Sequence, residues 1–208
     1  MSQFFNINLS NPQPRLIAQT ADILRKGGVI VYPTDSGYAL GCILGHADAQ
    51  MRIRQIRAVD DKHLFTLICR NLSELGNYAV VSNSQFRLLK ANTPGAYTFI
   101  LNATREVPRK LQHPKRSTIG IRVPDHHVVQ ALLEAIDTPM LSMTLSLPNE
   151  EDTSMMVPWE IRERLEHVVD LVIEVEHCEA GATTVIDLTG DSPVLIREGL
   201  GDLSPFSF

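Results

Sequence analysis

The sequence predicts an α/β (α+β) fold in which helices flank a single twisted mixed β-sheet. Short apolar and β-branched runs alternate with amphipathic segments over most of the 208 residues, and this alternation is typical of strands and helices in turn. The last two runs, 183–188 and 194–197, are close enough in the chain to pair as a hairpin. No repeat or linker interrupts the pattern, so residues 1–208 are predicted to form one domain.

Capping residues and apolar spacing predict the first elements. Residues 4–9 form a short strand, the Asn-Pro pair at 11–12 caps and begins a helix, and Gly27 ends that helix. The apolar run 29–31 is then a buried strand. Pro33 is predicted to end this strand, because proline donates no hydrogen bond to a neighbouring strand.

The remaining elements follow from the same periodicities. Ser82 and Gln85 predict a capping box, Asp125 predicts the cap of a later helix, and residues 73–74 predict a turn. Helices are predicted at 47–58, 82–90, 126–136 and 158–167, with one helical turn at 108–112. Strands are predicted at 64–69, 78–81, 97–101, 117–123, 140–145, 171–175, 183–188 and 194–197. Residues 148–154 are predicted to form an acidic loop.

Composition indicates a folded protein, since 44% of the residues are hydrophobic and 21% are charged. No stretch reaches the apolar length of a membrane span, and the first residues lack the basic segment and apolar core of a secretory signal. We therefore expect a cytoplasmic location. The three cysteines are widely spaced and form no CxxC pair, which predicts reduced thiols.

Charge is unevenly distributed along the chain, although the net charge is only −5. Residues 52–122 contain thirteen Lys and Arg against four Asp and Glu, whereas residues 123–208 contain three against seventeen. The basic middle segment favours binding of anionic ligands or nucleic acid. The alternative is that the acidic last third neutralises the basic segment in the folded protein.

A polar segment follows the buried strand at 29–31. Thr34, Asp35, Ser36 and Tyr38 lie on a glycine-punctuated loop at the carboxyl end of that strand, which is where open α/β sheets bind ligands. We interpret the segment as one wall of a polar pocket. The alternative is an ordinary surface turn, because the same residue types are common in turns.

Several common catalytic motifs are absent from the sequence. It contains no GxxxxGK[ST] phosphate loop, no GxGxxG and no GxSxG. The pairs His126-His127 and His177-Cys178 are adjacent rather than one helical turn apart, so no protein-bound metal is predicted. No side chain is a candidate nucleophile, and no catalytic residue is assigned.

Four separated segments match, in the right order, the motifs of one known family. The first is Tyr32-Pro33-Thr34-Asp35 with Tyr38 and Gly41, and the others are residues 93–101, residues 118–124 and the hairpin within 183–199. Together they resemble the YrdC-like family over roughly residues 14–199. The resemblance implies the YrdC-like fold, with a concave basic surface.

The best-known members of that family make threonylcarbamoyl-adenylate from threonine, bicarbonate and ATP for a tRNA modification. The resemblance therefore implies ATP as a substrate, with Mg²⁺ carried by the nucleotide, and a small amino acid as a second substrate. It implies that the amino acid is bound by Thr34, Tyr38, Thr98, Arg122 and Thr144. It implies that the nucleotide is bound by Arg54, Arg57, Lys62, Ser142, Ser146 and Arg197.

Two motifs depart from those of the family's synthases. Their KxR motif near the end of the helix at 47–58 is replaced by Arg52-Ile53-Arg54-Gln55-Ile56-Arg57, with Lys62 following. Their SxN motif is replaced by a segment that ends in Ser146 where asparagine is expected. A serine hydroxyl has less reach and fewer donors than a carboxamide. Both changes resemble the YciO branch of the family rather than the tRNA-modifying synthases.

Arg122 and Arg197 each lie in an otherwise apolar strand. A guanidinium in such a position is costly to bury unless an anion meets it, which supports a ligand at both arginines. The alternative is an internal ion pair with Asp187 or another acid.

The family resemblance also implies a second function, the binding of tRNA or double-stranded RNA by the basic surface. A protein of this kind would bind phosphates without reading the sequence. The candidate RNA-binding residues are Arg105, Arg109, Lys110, Lys115 and Arg116.

Overall fold

The structure, a computed structural model, describes residues 2–148, 157–179 and 181–206. The chain divides into two compact units. Unit 1 comprises Met1–His63 and His126–Gly181, and unit 2 comprises Leu64–Asp125 and Ala182–Phe208. Apart from Pro148, the predicted acidic loop lies outside the described residues. The single domain predicted from the sequence stays a prediction.

Strands and helices alternate along the chain as the apolar periodicity predicts. The strands are β1 (Gln3–Asn6), β2 (Ile30–Thr34), β3 (Gly37–Ile43), β4 (Thr66–Ile68), β5 (Ala79–Val80), β6 (Tyr97–Ala103), β7 (Thr118–Arg122), β8 (Met140–Thr144), β9 (Leu171–Glu174), β10 (Thr184–Asp187) and β11 (Val194–Arg197). The helices are α1 (Pro14–Arg25), α2 (Ala47–Arg57), α3 (Leu72–Tyr78), α4 (Asn83–Asn92), α5 (His127–Ile136) and α6 (Pro158–Leu165), with a 3-10 turn at Arg109–Leu111.

Unit 1 is built on a mixed sheet with the strand order β1-β9-β2-β3-β8. β9 lies parallel to β1 and β2, whereas β3 lies antiparallel to β2 and β8. α1 and α5 pack against each other, and each buries a stripe of aliphatic side chains at helical spacing, such as Ile17 and Leu24 on α1. The core of this unit therefore joins a helix layer to a sheet whose central strands, β2 and β3, are buried throughout.

The prediction that Pro33 ends a strand and is followed by a loop is wrong. β2 continues through Pro33 to Thr34 and forms a hairpin with β3, in which Pro33 pairs with Tyr38. On its other side, β2 pairs with β9 only at Ile30 and Val31. At Pro33 the strand thus has a hydrogen-bonding neighbour on one side only, which is the situation in which a sheet tolerates proline.

Two predicted helix caps are displaced. α1 begins at Pro14 with Gln13 as its N-cap, because the backbone N–H of Asn11 donates to the Asn8 side chain at 2.7 Å and forms a turn before the helix. The N-cap of α5 is His126 rather than Asp125. The predicted end of α1 is confirmed, since Gly27 has a φ of +82° that a residue without Cβ adopts readily.

Unit 2 is built on a second series of paired strands in the order β4-β7-β6-β10-β11, and β5 pairs with β6. β10 lies parallel to β6 and antiparallel to β11, so the predicted closing hairpin is confirmed. The capping box of Ser82 and Gln85 is also confirmed at the start of α4. The predicted turn at 73–74 is wrong. These residues begin α3, where the Asn71 side chain accepts a hydrogen bond from the Glu74 N–H at 2.9 Å.

The α/β class with a mixed sheet and flanking helices is confirmed, because both units combine helices with parallel and antiparallel strand pairs. None of the helices in the described part of the chain is long and apolar enough to cross a membrane.

Candidate functional site

The tip of the β2–β3 hairpin carries the first group of predicted ligand-binding residues. Thr34 is 3% exposed, and its hydroxyl donates to the Gly37 carbonyl at 2.7 Å while it accepts from the Ser36 N–H at 3.1 Å. These bonds close the hairpin tip, as Ser and Thr side chains do in turns. The Thr34 hydroxyl therefore has little hydrogen-bonding capacity left for a ligand, and its first role is to shape the tip.

The register of unit 1 gathers hydroxyl groups on one face of the sheet. Tyr32 pairs with Ala39, Ala39 with Thr144, and Gly41 with Ser142, so these side chains share a face because strand residues alternate with a period of two. The Tyr32 hydroxyl donates to Ser142 at 2.7 Å. We call Tyr32, Thr34, Ser142 and Thr144 the unit 1 polar face.

Tyr38 lies on the opposite side of this sheet. Tyr38 pairs with Pro33, which precedes Thr34 and faces the other side of the sheet. The structure therefore does not bring Tyr38 to the unit 1 polar face. The side chain is 3% exposed, and its hydroxyl approaches the Val175 backbone without forming a hydrogen bond of full geometry with any described residue. Burial, with the neighbouring Cys178, raises the pKa of Tyr38 above its ordinary value.

Cys178 contacts the hairpin tip, which sequence reasoning did not anticipate. Its Sγ lies 3.8 Å from the Thr34 carbonyl oxygen. Burial raises the pKa of this thiol to about 11, despite the backbone contact at Thr34. At neutral pH the side chain is therefore a thiol that supports the tip and not a nucleophile.

The last turns of α2 carry the cations that were predicted to bind the nucleotide. Arg54 and Arg57 are partly buried, and Arg57 donates to the Thr144 carbonyl, which places its guanidinium at the end of β8. Burial lowers the pKa of Arg57, and burial followed by the charge of Arg57 lowers the pKa of His63. Lys62 is exposed, and Ser146 is partly buried just beyond β8.

The register of unit 2 also collects polar side chains on one face. Ile100 pairs with Gly120, which puts Thr98 and Arg122 on the same side, and Val185 pairs with both Thr98 and Arg197. Thr183, two residues before Val185, follows on that side. We call Thr98, Arg122, Thr183 and Arg197 the unit 2 polar face.

Hydrogen bonds connect this face from its buried centre to its edge. The hydroxyls of Thr98 and Thr183 lie 2.9 Å apart, and the Arg197 guanidinium donates to the Thr183 carbonyl at 2.9 Å and to its hydroxyl at 3.1 Å. Arg122 is 6% exposed, as its apolar strand predicted. Arg197 is exposed, because β11 pairs with β10 alone and lies at the edge of the sheet.

Among the described residues, Asp187 forms no ion pair with Arg122 or Arg197. The predicted alternative of an ion pair with another acid stays a prediction. Asp187 binds Arg116 at 2.9 Å and accepts a hydrogen bond from the Thr189 hydroxyl at 2.6 Å. Burial raises the pKa of Asp187, but the Thr189 hydrogen bonds and Arg116 outweigh burial, so the pKa lies below its ordinary value. Asp187 lies on the same side of β10 as Val185, but its carboxylate is occupied by Arg116 and Thr189.

The residues predicted to bind RNA lie in the segment between β6 and β7. Arg105, Arg109, Lys110 and Lys115 are exposed and make no ion pair with any described residue, whereas Arg116 is engaged by Asp187. No group of three or more His, Cys, Asp and Glu side chains in the described ranges is placed to hold a metal ion.

Thr183 and Tyr32 are the site residues that sequence reasoning missed. Both lie inside the motif segments, but a hydroxyl in a β-rich run carries no signal of its own. Only the positions of these two residues relative to the predicted ones could have identified them. Thr183 lies two residues before Val185, the partner of Thr98, and Tyr32 lies two residues before Thr34.

The mixed α/β fold and the four motif segments that it carries agree with a YrdC-like protein. A family model named for Sua5, YciO and YrdC, with the description telomere recombination, matches residues 22–199. The chain belongs to this family. The resemblance predicted from the motifs is therefore confirmed.

Three relatives show where in the family the chain lies. It is 58% identical to the uncharacterized protein YciO of Escherichia coli over 99% of this chain and 100% of that protein, and the crystal structure of that protein matches with a TM-score of 0.93. A threonylcarbamoyl-AMP synthase of Neisseria meningitidis is 30% identical over 62% of this chain and 71% of that protein.

The third relative is Sua5 of P. abyssi complexed with L-threonine, which matches with a TM-score of 0.83 at 22% identity and shares the fold. The alignment covers 95% of this chain and 58% of that chain. The chain is thus most similar to YciO among these three.

Proposed function

We propose that this chain is a nucleotide-binding enzyme of the threonylcarbamoyl-AMP synthase type. The observation that carries the proposal is the unit 2 polar face, where the buried guanidinium of Arg122 shares one side of the sheet with the Thr98–Thr183 hydroxyl pair and Arg197. Two fixed cations beside ordered hydroxyls form a surface suited to carboxylate and phosphate groups.

The proposed reaction uses threonine, bicarbonate and ATP. The threonine amine condenses with bicarbonate and releases water, which gives a carbamate. A carbamate oxygen then attacks the α-phosphorus of ATP, forming one P–O bond while the bond to the β-phosphate breaks and pyrophosphate leaves. No side-chain nucleophile is required, so the protein contributes positioning and stabilisation of charge.

Each unit is assigned part of this task. In unit 2, Arg122 and Thr98 bind the amino acid and Arg197 binds phosphate. In unit 1, Thr34 and Thr144 of the unit 1 polar face are assigned to the amino acid, and Tyr38, on the other side of the sheet, is assigned to it on the family resemblance alone. The nucleotide is assigned to Arg54, Arg57, Lys62, Ser142 and Ser146, with Mg²⁺ entering on its phosphates.

The Ser142 hydroxyl of unit 1 has a hydrogen available for a ligand. Ser142 is 7% exposed and accepts the hydrogen bond of Tyr32, which leaves the Ser142 hydroxyl hydrogen to donate to a ligand. Arg57 is held at the end of β8 by its hydrogen bond to the Thr144 carbonyl. Both features support a phosphate or ribose contact at the end of β8.

The test is turnover of purified protein with α-labelled ATP, Mg²⁺, bicarbonate and L-threonine. We expect a labelled adenylate and pyrophosphate that depend on threonine. Arg197→Ala should weaken ATP binding by about tenfold or more, roughly 1.4 kcal/mol, because a charge-assisted phosphate contact is lost. The matched control is Arg87→Ala, an exposed arginine on α4 without an ion pair to a described residue.

A threonine-independent signal, or no adenylate at all, would contradict the synthase assignment. ATP affinity that is the same in wild type and Arg197→Ala would remove Arg197 from the nucleotide site. Equal losses in Arg197→Ala and Arg87→Ala would indicate a general effect of charge instead of a specific contact.

A paralogue that binds tRNA or double-stranded RNA is the second candidate function. The observation that favours it is the set of four exposed basic residues between β6 and β7 that make no ion pair with the described chain. Binding through phosphates predicts an affinity that falls steeply between about 50 and 200 mM salt and does not depend on sequence. An affinity that is flat over this range would contradict it.

A further inference from the structure

The two sides of the unit 2 sheet differ in how they are covered. Ile121 pairs with Leu67 on one neighbouring strand and with Phe99 on the other, so the three side chains form a row on one side of the sheet. All three are 0% exposed. This side of the sheet therefore packs into the core of unit 2.

The other side of the sheet carries a row that is partly exposed. Gly120 pairs with Thr66 on β4 and with Ile100 on β6, and all three residues are partly exposed. We call Thr66, Gly120 and Ile100 the Gly120 strip. It lies on the same side of the sheet as Thr98 and Arg122, two residues further along the strands.

Neither the backbone nor the packing of the chain requires glycine at position 120. Gly120 is not among the described glycines that have a positive φ. An added Cβ would lie 3.3 Å from the Thr98 methyl group and 3.8 Å from the Thr66 hydroxyl, and a small shift of the Thr98 side chain relieves the closer contact. Glycine inside a strand nevertheless costs about 0.5–1 kcal/mol relative to alanine. A glycine in such a position is typical of a place where a ligand approaches the backbone closely.

The Gly120 strip has the size and polarity of a site for a planar ring. It spans three adjacent strands, about 10 Å at the usual strand spacing, which is long enough for a bicyclic ring. The middle of the strip is bare backbone and Ile100 is aliphatic, so a flat aromatic ring can lie against both. The Thr66 hydroxyl makes no hydrogen bond to a described residue, so it can donate to or accept from the edge of the ring.

The charges on this side of the sheet favour an uncharged ring in the strip and phosphates beside it. The row continues from Ile100 to Asp187 on β10, whose carboxylate is held by Arg116 at 2.9 Å. Arg197 lies on the same side, on β11, and makes no ion pair with a described residue. Three strand spacings, about 14 Å, separate its strand from that of Gly120. A ribose and a triphosphate together with the arginine side chain cover this span.

We infer that the Gly120 strip binds the base of the nucleotide, with the ring over Gly120 and Ile100 and its edge hydrogen-bonded to the Thr66 hydroxyl. This inference rests on the nucleotide binding proposed above. It assigns to Thr66 and Gly120 a role in selecting the nucleotide, whereas the residues assigned above contact its phosphates or the amino acid.

The test is calorimetric binding of ATP and of inorganic tripolyphosphate to the full chain, each with Mg²⁺. Tripolyphosphate carries the phosphates of ATP without the base. Gly120→Val, whose side chain fills the middle of the strip, should weaken ATP binding by about tenfold or more and leave tripolyphosphate binding within about twofold. Gly120→Ala, with a single methyl group, should weaken ATP binding by about threefold.

Thr66→Val tests the hydrogen bond separately, because valine keeps the shape of threonine without the hydroxyl. It should weaken ATP binding by about fivefold and leave tripolyphosphate binding unchanged. It adds no bulk, so it keeps the test valid if Gly120→Val does not fold. The matched control is Thr138→Val, a partly buried threonine of unit 1 whose hydroxyl also makes no hydrogen bond to a described residue. Arg197→Ala, in contrast, should weaken the binding of both ligands.

ATP affinity that is unchanged in Gly120→Val and Thr66→Val would overturn the inference, as would equal losses of ATP and tripolyphosphate binding in these variants. A wild-type protein that binds ATP no more tightly than tripolyphosphate would also overturn it, while the phosphate contact of Arg197 would stand. A loss of threonine binding with unchanged ATP binding would assign the strip to the amino acid instead. Binding of neither ATP nor tripolyphosphate would contradict the proposed nucleotide binding, and the inference with it.

Discussion

The polar faces of the two units differ in how their side chains are satisfied. On the unit 1 polar face, the hydroxyl of Tyr32 donates to Ser142 and that of Thr34 closes the hairpin tip. On the unit 2 polar face, two arginines lie beside two threonines, and the carboxylate of Asp187 on β10 is held by Arg116. Unit 1 therefore provides shape, and unit 2 provides positive charge.

The two faces also rely on different close contacts. In unit 1, a Cβ on Gly41 would lie 2.6 Å from the Tyr32 ring and 2.7 Å from the Met140 methyl group. In unit 2, a Cβ on Gly199 would lie 2.5 and 2.6 Å from the backbone carbon and oxygen of Thr183. Side chains can move aside, whereas a paired backbone cannot, so the surroundings of Gly199 are more rigid toward an added methyl group than those of Gly41.

The largest expected effect follows from this contrast. Gly199→Ala should lower the free energy of unfolding by about 3 kcal/mol, because the new methyl group pushes on the Thr183 backbone. Gly41→Ala should lower it by about 1–2 kcal/mol, since the Tyr32 ring and the Met140 methyl group can shift. Urea unfolding of both variants measures the difference.

The same pair of variants tests the proposed role of the unit 2 polar face. Gly199→Ala should also weaken ATP binding, because Arg197 is positioned by its bonds to Thr183. Equal unfolding free energies for the two variants, or a larger loss in Gly41→Ala, would contradict the difference in rigidity.

Most of the secondary structure could be predicted from periodicity. The aliphatic stripe of α5 and the capping box of α4 are local signals, and both elements occur where they were predicted. The burial of Arg122 was also predictable, since its strand neighbours are apolar. These features depend only on residues close in sequence.

Two of the errors concern features that depend on distant partners. The glycines and Pro33 of the 33–41 segment are typical of a loop, and only pairing with β2 and β8 makes it strand β3. Unless the segment is known to be a strand, the sequence does not predict that Tyr38 faces the side of the sheet opposite to Thr34. The apolar pattern of residues 194–197 is compatible with a central strand and with an edge strand. The exposure of Arg197 could therefore not be predicted either.

A smaller effect is expected at Asp187, the buried acid of unit 2. Its pKa is lower in the folded protein than its ordinary value. Its contribution is therefore complete above the unfolded pKa of about 3.9 and is lost as pH falls through the folded pKa. Asp187→Asn should lower the free energy of unfolding by about 1–2 kcal/mol at pH 7 and by progressively less below about pH 4.

Unfolding in urea at several pH values measures this dependence. The control is Asp191→Asn, an exposed acid in the loop between β10 and β11 that should change stability little. A loss in Asp187→Asn that stays constant down to pH 2.5 would contradict an ionised, hydrogen-bonded Asp187.

The smallest expected effect compares two buried tyrosines of unit 1. Tyr32 donates to Ser142, whereas the Tyr38 hydroxyl has no partner of hydrogen-bond geometry among the described residues. Tyr32→Phe should therefore lower the free energy of unfolding by about 1 kcal/mol, and Tyr38→Phe should leave it unchanged or raise it by up to about 1 kcal/mol. Thermal and urea unfolding of the two variants measure this difference.

The two tyrosines should also differ in ligand binding. If the Tyr38 hydroxyl is kept for the amino-acid substrate, Tyr38→Phe weakens threonine binding while the protein remains stable, because a buried donor without a partner is compensated only when the ligand accepts its hydrogen bond. Threonine-dependent turnover that is unchanged in Tyr38→Phe would remove Tyr38 from the substrate site. In that case, unit 1 would contribute to the substrate site through the unit 1 polar face, on the other side of the sheet.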